Sequence, residues 1–294
     1  MKLVACVLLA GCGLDMSAPQ PWVSISDVSG PLVAERVAPS AVRGPRVVPA
    51  RPLRVVTYNF EYGPDPAALA ATLASTPTLA TAGLVLVQEV ESYPAEGKSR
   101  TAQVAELLGY GYVYVPAREV RDGGTHGLAI LSAFPISSVE KMDLPETSTK
   151  SQHRIAIRAT IDVDGTPITV VDVHLDTKLN TQQRIAQLSP VVMSSVDAQL
   201  IAGDFNMSWV QWVDGTVPVL TSTSAPDQAP VVDAYMRKQG FDTPTADSGA
   251  TEHMFGLEQR LDAIYTRDVT PTYGGVERVG PSDHWPMWID LAIQ

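Results

Sequence analysis

An acid and an amide two residues apart close an apolar run, Ile201-Ala-Gly-Asp204-Phe-Asn206, where a strand would hand over to a turn. A carboxylate and a carboxamide placed so closely can grip one water and take its proton. Further polar groups sit at comparable strand ends: Thr57-Tyr-Asn59, Gln88-Glu89, His174 and Ser282-Asp283-His284. Oxygen ligands and imidazoles in this mixture suit metal-assisted hydrolysis of a phosphoester, in which a cation acidifies a water that side chains orient. Each fragment alone is weak, since a lone asparagine is by default a turn residue and a lone histidine a structural donor.

Such fragments need a scaffold that brings them together. Short β-branched or aromatic runs bounded by Gly, Pro, Asn or Asp predict strands over 53–58, 83–88, 128–131, 154–161, 168–173, 199–202, 261–265 and 285–290. Helical spacing predicts helices over 65–79, 101–108, 181–196 and 231–239, with Asn180 or Thr181 as the N-cap of the third. Many short strands and few helices imply two sheets packed face to face with helices outside. The polar residues follow the apolar runs, so they would collect at one rim.

The first twelve residues read as an export signal: Lys2 is the positive charge, residues 3–10 are apolar but far too few to span a bilayer, and Leu9-Ala10-Gly11-Cys12 resembles a lipobox. Cys12 would then carry lipid and anchor the chain to a membrane. The alternative is a plain cleaved signal that leaves Cys12 an incidental thiol. Gly13 after the cysteine lacks the aspartate that resembles an inner-membrane retention signal, so the expected location is the outer membrane. No second cysteine would remain in the mature chain for an internal disulfide, and stability must come from the core. Residues 13–52 are rich in Pro, Ser, Ala, Val and Arg and predict a semi-rigid tether, with 22–28 as a candidate edge strand instead. Residues 53–294 then form one domain. A net charge of −11 disfavours a protein that holds nucleic acid by a broad basic surface, though not catalysis at a locally cationic site.

In order along the chain, Thr57-Tyr-Asn59, Gln88-Glu89, Gly127-Leu-Ala-Ile-Leu-Ser132 with Phe134-Pro-Ile136, Asp172-Val-His174-Leu, Gly203-Asp204-Phe-Asn206, Leu261-Asp262 and Ser282-Asp283-His284 resemble the endonuclease/exonuclease/phosphatase superfamily. The resemblance implies an α/β (α+β) fold, a four-layer sandwich of two mixed β-sheets flanked by helices. It also implies a divalent metal, Mg²⁺ or else Mn²⁺ or Ca²⁺, at the rim. By the same resemblance Glu89 is the main metal carboxylate with Asn59 and Asp283 close to the ion. Asp204 is the general base, Asn206 holds the same water or a phosphate oxygen, His174 and His284 face the phosphate, and Asp262 pairs with His284.

Other residues stay open at this point. His126 is a cleft or a loop residue, Arg154 a rim or an ion-pair arginine, Arg184 and Gln187 a solvated helix face, and Trp209 and Trp212 either core or a membrane-facing lip. Asn59 is followed by Phe60-Glu61-Tyr62-Gly63, unlike the abasic-site branch of the superfamily, and Ser132-Ala133-Phe134-Pro135 lacks an arginine common at its second position. The expected protein is an exported, monomeric phosphodiesterase whose partner is nucleic acid, a phospholipid head group or a small phosphate ester. A catalytically silent phosphate-binding module on the same fold is the alternative. A binuclear zinc hydrolase is disfavoured because the histidines lack a zinc-ligand spacing.

Overall fold

The computed structural model describes residues 21–28, 32–41, 47–148, 151–213, 217–220, 228–254 and 257–293. The signal and lipobox read at 1–12 lie outside the described residues, as does the start of the tether. Along the described chain run β1 (Val23–Ser24), β2 (Glu35–Val37), β3 (Leu53–Tyr62), α1 (Pro66–Ser75), β4 (Leu84–Ser92), α2 (Arg100–Leu108), β5 (Gly111–Glu119), β6 (Thr125–Ser132) and β7 (Ile136–Asp143). Then come β8 (Ile155–Val163), β9 (Thr166–His174), α3 (Thr181–Ser194), β10 (Leu200–Asp204), the hairpin β11 (Val210–Val213) and β12 (Val217–Leu220), and α4 (Ala229–Lys238). A second hairpin of β13 (Glu252–Met254) and β14 (Leu257–Gln259), then β15 (Asp262–Thr266), β16 (Thr270–Val276) and β17 (Met287–Ala292), complete it. Among the described residues no helix is long and apolar enough to cross a membrane.

Two large mixed sheets result, ordered β1-β7-β8-β9-β10-β15 and β16-β17-β3-β4-β6-β5-β2. Side-chain alternation assigns each strand to two different apolar layers. Leu53 and Val55 of β3, Leu84 and Leu86 of β4, Ile168 and Val170 of β9, Leu200 and Ala202 of β10 and Ile264 of β15 fill the layer between the sheets. Val56, Tyr58, Val85 and Val87, one residue out of phase, pack instead against Leu69 and Leu73 of α1 and Val104 of α2. Val171, Val173 and Ile201 face Leu188 and Val191 of α3 and Val232 and Met236 of α4. Helices on the outer face of each sheet make the arrangement a sandwich of two mixed sheets with flanking helices, as expected.

The alternation also dictates where the polar residues go. Continuing each inward-facing set by steps of two leads from Val55 to Thr57 and Asn59, from Leu86 to Gln88, from Val170 to Asp172 and His174, and from Ala202 to Asp204. Asp262 precedes Ile264 on the same face. The apolar layer between the sheets therefore gives way to buried polar side chains at one end.

Differences from the sequence reading have local causes. Helix α1 starts at Pro66 with Asp65 Oδ1 capping the Ala68 N–H at 2.9 Å, and it ends at Ser75 rather than 79. Pro77 disfavours a helical residue before it, and Thr76 is extended. Strands β5, β7 and β16 were not expected; Pro116, the paired serines of β7, and Pro271 with Gly274 and Gly275 blur their alternation. The reading of 13–52 as a tether is corrected in its described part. Strand β1 pairs with β7 through Val23↔Lys141, and β2 pairs with β5 through Glu35↔Tyr114. Short proline-free stretches between the prolines suffice for edge strands, and each covers an otherwise open sheet edge.

Candidate active site

Three residues expected to do chemistry sit side by side across adjacent strands. In parallel register Asp204 faces His174, and in antiparallel register it faces Asp262, so the three form one row over β9, β10 and β15. Cross-strand neighbours on one face hold their Cβ atoms about 5 Å apart, close enough for the side chains to share atoms. Gly203 makes this row tight. Its φ of +141° brings the backbone to β9 so closely that a Cβ would lie 1.9 Å from the Val173 carbonyl oxygen.

Asp204 is buried and its two oxygens have distinct duties. Oδ1 accepts the Asn206 backbone N–H at 2.8 Å, and Oδ2 accepts Asn59 Nδ2, from the facing sheet, at 3.1 Å. His174 Nε2 lies 3.4 Å and His284 Nε2 3.9 Å from the same Oδ2. Burial first, then the Asp262 and Glu89 charges, push the Asp204 carboxyl up to about 7, against the opposing pull of His284 and of the Asn206 N–H.

The two imidazoles are held in opposite charge states. Arg154 Nη1 lies 2.9 Å from His174 Nδ1. A guanidinium only donates, so Nδ1 must accept and the proton of the neutral ring sits on Nε2. Burial, reinforced by the Arg154 charge, holds the His174 pKa well below its usual value, and Nε2 has no hydrogen-bond partner. At His284, Nδ1 meets Asp262 Oδ2 at 2.8 Å. Burial opposes its charge, but the Asp262 carboxylate, with Asp204 and Asp283, more than offsets this and raises the pKa well above normal. His174 thus presents a neutral N–H, and His284 a charged one, to the same small space.

Glu89 closes that space from the other sheet. It has φ +55°, and the β3–β4 and β4–β6 registers both shift at this point. The break turns Glu89 inward, with Oε1 3.5 Å from His174 Nε2 and 19 % of its side chain exposed. Glu61 Oε2 accepts the Asp283 backbone N–H at 3.0 Å. Burial raises the pKa of Glu61 and of Asp283, and each is raised further by Glu89. Carboxylates that destabilise one another's charge in a half-buried cluster fit a bound cation.

The donor set bears on the kind of cation that would fit. Glu89, His174 and Asp204 could each offer an atom to one ion, as could Asp204, Asp262 and His284. Both imidazoles, however, have their protons directed into the space by Arg154 and Asp262, so they are donors there and not ligands. What remains is oxygen, which suits Mg²⁺, Mn²⁺ or Ca²⁺ better than zinc. Asn59 Oδ1 accepts the Glu61 N–H at 2.9 Å, which leaves one lone pair for an ion.

The structure places the other expected residues as follows. Asn206, with φ +51°, commits one side-chain N–H to the Leu175 carbonyl at 2.8 Å and steadies Asp204 through its backbone. His126 is buried beside the site, its ring 6.4 Å from that of His174. Arg184 and Gln187 are not a solvated face. Both are fully buried and brace the loop after His174, Arg184 through the Asp176 and Thr177 carbonyls and Gln187 through the Asp176 N–H. Burial lowers the Arg184 pKa to about 10. Trp209 is half-buried and its backbone N–H donates to Gln259 Oε1; the Trp212 side chain lies outside the described residues. Glu61 and buried Asp172, which accepts Gln88 Nε2 at 2.6 Å, join the centre without having been singled out as site residues.

Arg154 is the residue whose contribution sequence left open, and it is testable. Arg154→Ala frees Nδ1 of His174, lets the ring change tautomer, and is expected to lower kcat about 10- to 100-fold with a smaller change in KM. Steady-state kinetics, paired with ¹⁵N spectra of the imidazole, check it. An unchanged tautomer with an unchanged kcat would remove Arg154 from the chemistry.

The sequence profile of the endonuclease/exonuclease/phosphatase family matches residues 49–284. No curated protein matches the sequence. Among solved structures, a family protein from Leptotrichia buccalis is 14% identical with a TM-score of 0.61, over 82% of this chain and 100% of that one. A mannosyl-6-phosphatase from Bacteroides thetaiotaomicron is 17% identical with a TM-score of 0.60, over 82% and 100%. D. rerio TDP2 complexed with single strand DNA product is 19% identical with a TM-score of 0.57, over 82% and 99%. At such identities the likeness speaks for the fold alone.

Proposed function

Since the chain belongs to the endonuclease/exonuclease/phosphatase family, whose members include hydrolases of phosphoester bonds, we propose that it is an exported, Mg²⁺-dependent phosphodiesterase. Its substrate is nucleic acid or a phospholipid head group, attacked by water. The observation that carries this reading is the row His174–Asp204–Asp262, completed by His284 and faced by Glu89. A bound Mg²⁺ would polarise a phosphoryl oxygen and acidify water.

The chain's own residues supply the rest. Glu89, with Asn59 and Asp283 beside it, would hold the ion. Asp204 takes the proton of the attacking water, its carboxylate aimed by the Asn59 amide and the Asn206 N–H. His174 Nε2–H and the His284 imidazolium donate to non-bridging oxygens as charge grows on them, which is where preorganised donors act most strongly. Asp262 keeps His284 charged and oriented. Asn206 is a positioning residue here, acting on Asp204 more than on substrate.

Structures with this fold include a mannosyl-6-phosphatase and a protein bound to DNA product, so the fold does not choose the leaving group. The test is a panel of bis(p-nitrophenyl) phosphate, plasmid DNA and sphingomyelin vesicles, assayed on the full chain with Mg²⁺ and with chelator. Turnover that chelator leaves intact would overturn the mechanism, and tight binding of one of them with no turnover anywhere would favour the silent binding module. For export through a lipidated Cys12, Cys12→Ala should move the chain from the membrane pellet to the soluble fraction; an unaltered pellet fraction would argue against the anchor.

A further inference from the structure

A cleft of about 870 Å³ opens near the acid row, with Tyr62 in its wall. Tyr62 and Tyr93 line it with Arg100, Arg118 and Arg121 and with the acids Glu91, Glu96 and Asp122. The Tyr62 ring lies 6.1 Å from the His126 ring, which in turn lies 6.4 Å from that of His174. The charge of Glu89 is the largest influence on the Tyr62 hydroxyl. Tyr62 thus connects the cleft, through His126, to the side of the site where His174 lies.

The cleft walls are rigid and carry cations. Tyr93 donates to Glu91 Oε2 at 2.7 Å, lies under the Arg100 guanidinium at 4.9 Å, and packs on Gly124 so closely that a Cβ there would meet the ring at 2.6 Å. Tyr62, at φ +66°, is a bulky side chain in the left-handed region. That conformation projects it from the β3–β4 register break, half exposed. Arg100 is neutralised by Glu96 at 2.7 Å and Glu91 at 3.7 Å. Arg118 is not. Among the described residues its side chain has no hydrogen bond and no ion pair, and its Nε is buried without an acceptor. Glu91 and Glu96 in the same cleft pair with Arg100, so among the described residues Arg118 has no carboxylate at ion-pair distance and suits an anion from outside.

We propose that this cleft is the subsite for the part of the substrate beyond the reacting phosphate, and that Arg118 binds a second phosphate there. The substrate class is then a nucleotide or sugar unit phosphorylated at two positions, its ring against Tyr62 and Tyr93. The inference rests on the phosphoesterase reading for its orientation, and its test separates the two.

The full chain with Mg²⁺ is assayed on the p-nitrophenyl ester of thymidine 5′-phosphate, without a 3′-phosphate, with one, and with a 3′-linked second nucleotide. The last two arms tell a phosphomonoester from a neighbouring diester. The second phosphate should raise kcat/KM about tenfold, as one charge-assisted contact does, and Arg118→Ala should abolish that preference while Arg118→Lys keeps part of it. No preference in the wild type, or the same preference in Arg118→Ala, overturns the subsite. Should Arg118→Ala not fold, wild-type inhibition decides. Thymidine 3′,5′-bisphosphate should inhibit bis(p-nitrophenyl) phosphate hydrolysis at about a tenth of the concentration needed for thymidine 5′-phosphate, and equal inhibition discards the proposal. If nothing turns over, the phosphoesterase reading fails. The cleft then stands or falls on whether titrated thymidine 3′,5′-bisphosphate binds in a way that depends on Arg118.

Discussion

Asp204→Asn is expected to lower kcat on bis(p-nitrophenyl) phosphate by about 10³-fold, within the range lost when a positioned general base is removed, and to make the metal-free protein less sensitive to rising pH. The two effects have one source. A carboxyl boxed in by Asp262 and Glu89, with burial adding the largest part, is poised near neutrality, and that poise makes it a good base and a poor structural element. Asparagine keeps the shape and can still accept the Asn206 N–H, but it cannot take a proton from water. It gives up the acceptor for Asn59 Nδ2, at a cost of about 1 kcal/mol.

The sign of the pH effect follows from the direction of the shift. The folded-state pKa of Asp204, about 7, lies above its unfolded value, so the native state binds the extra proton in between. Stability from this group is present in acid and is lost as pH rises towards 7. Glu61 and Asp283, raised mainly by burial, act in the same direction. Thermal melts in chelator from pH 4 to 8 should show the wild type losing up to a few kcal/mol and Asp204→Asn a shallower decline. A variant with a tenth of wild-type activity, or with the same slope, would mean that the base is another group.

Much of this centre could be read before any fold was known, for a simple reason. Polar residues that continue an inward-facing apolar set, such as Asn59 after Val55 and Asp204 after Ala202, must end up buried at the mouth of a core, and a buried carboxylate needs a purpose. What stayed illegible depends on register breaks and tertiary contacts. Glu61 and Tyr62 reach the site because β3 slips against β4, which no alternation predicts. The Arg154–His174 contact joins the start of one strand to the end of its neighbour. Arg184 looked like a solvated helix residue because its partners are two backbone carbonyls and the distant Gln228 amide, none of which marks it in the sequence. Edge strand β2 was hidden by prolines that edges tolerate, whereas β1 falls within the 22–28 candidate.

Glu89→Gln is expected to separate the holder of the ion from the base. Glutamine at 89 preserves volume and removes the charge that Glu61, Asp283 and Asp204 all feel. Activity at a fixed Mg²⁺ concentration should fall at least about 100-fold, and unlike Asp204→Asn it should recover in part as Mg²⁺ is raised, since affinity and not chemistry has been lost. Melting supplies a readout independent of turnover. An ion bound only by the native state at 100 times its Kd adds about 2.7 kcal/mol, or roughly 5–10 °C for a domain of this size. Wild type and Asp204→Asn should both show most of that rise with Mg²⁺, whereas Glu89→Gln should show almost none. Its metal-free melting temperature should equal or exceed that of the wild type, because a repelling charge has gone. If Glu89→Gln kept the full Mg²⁺-dependent rise and the same half-saturating concentration, the ion would have to sit elsewhere. Asp204 and Asp262 across β10 and β15 would then be the carboxylates left to hold it, and Asp204 could no longer be both ligand and base.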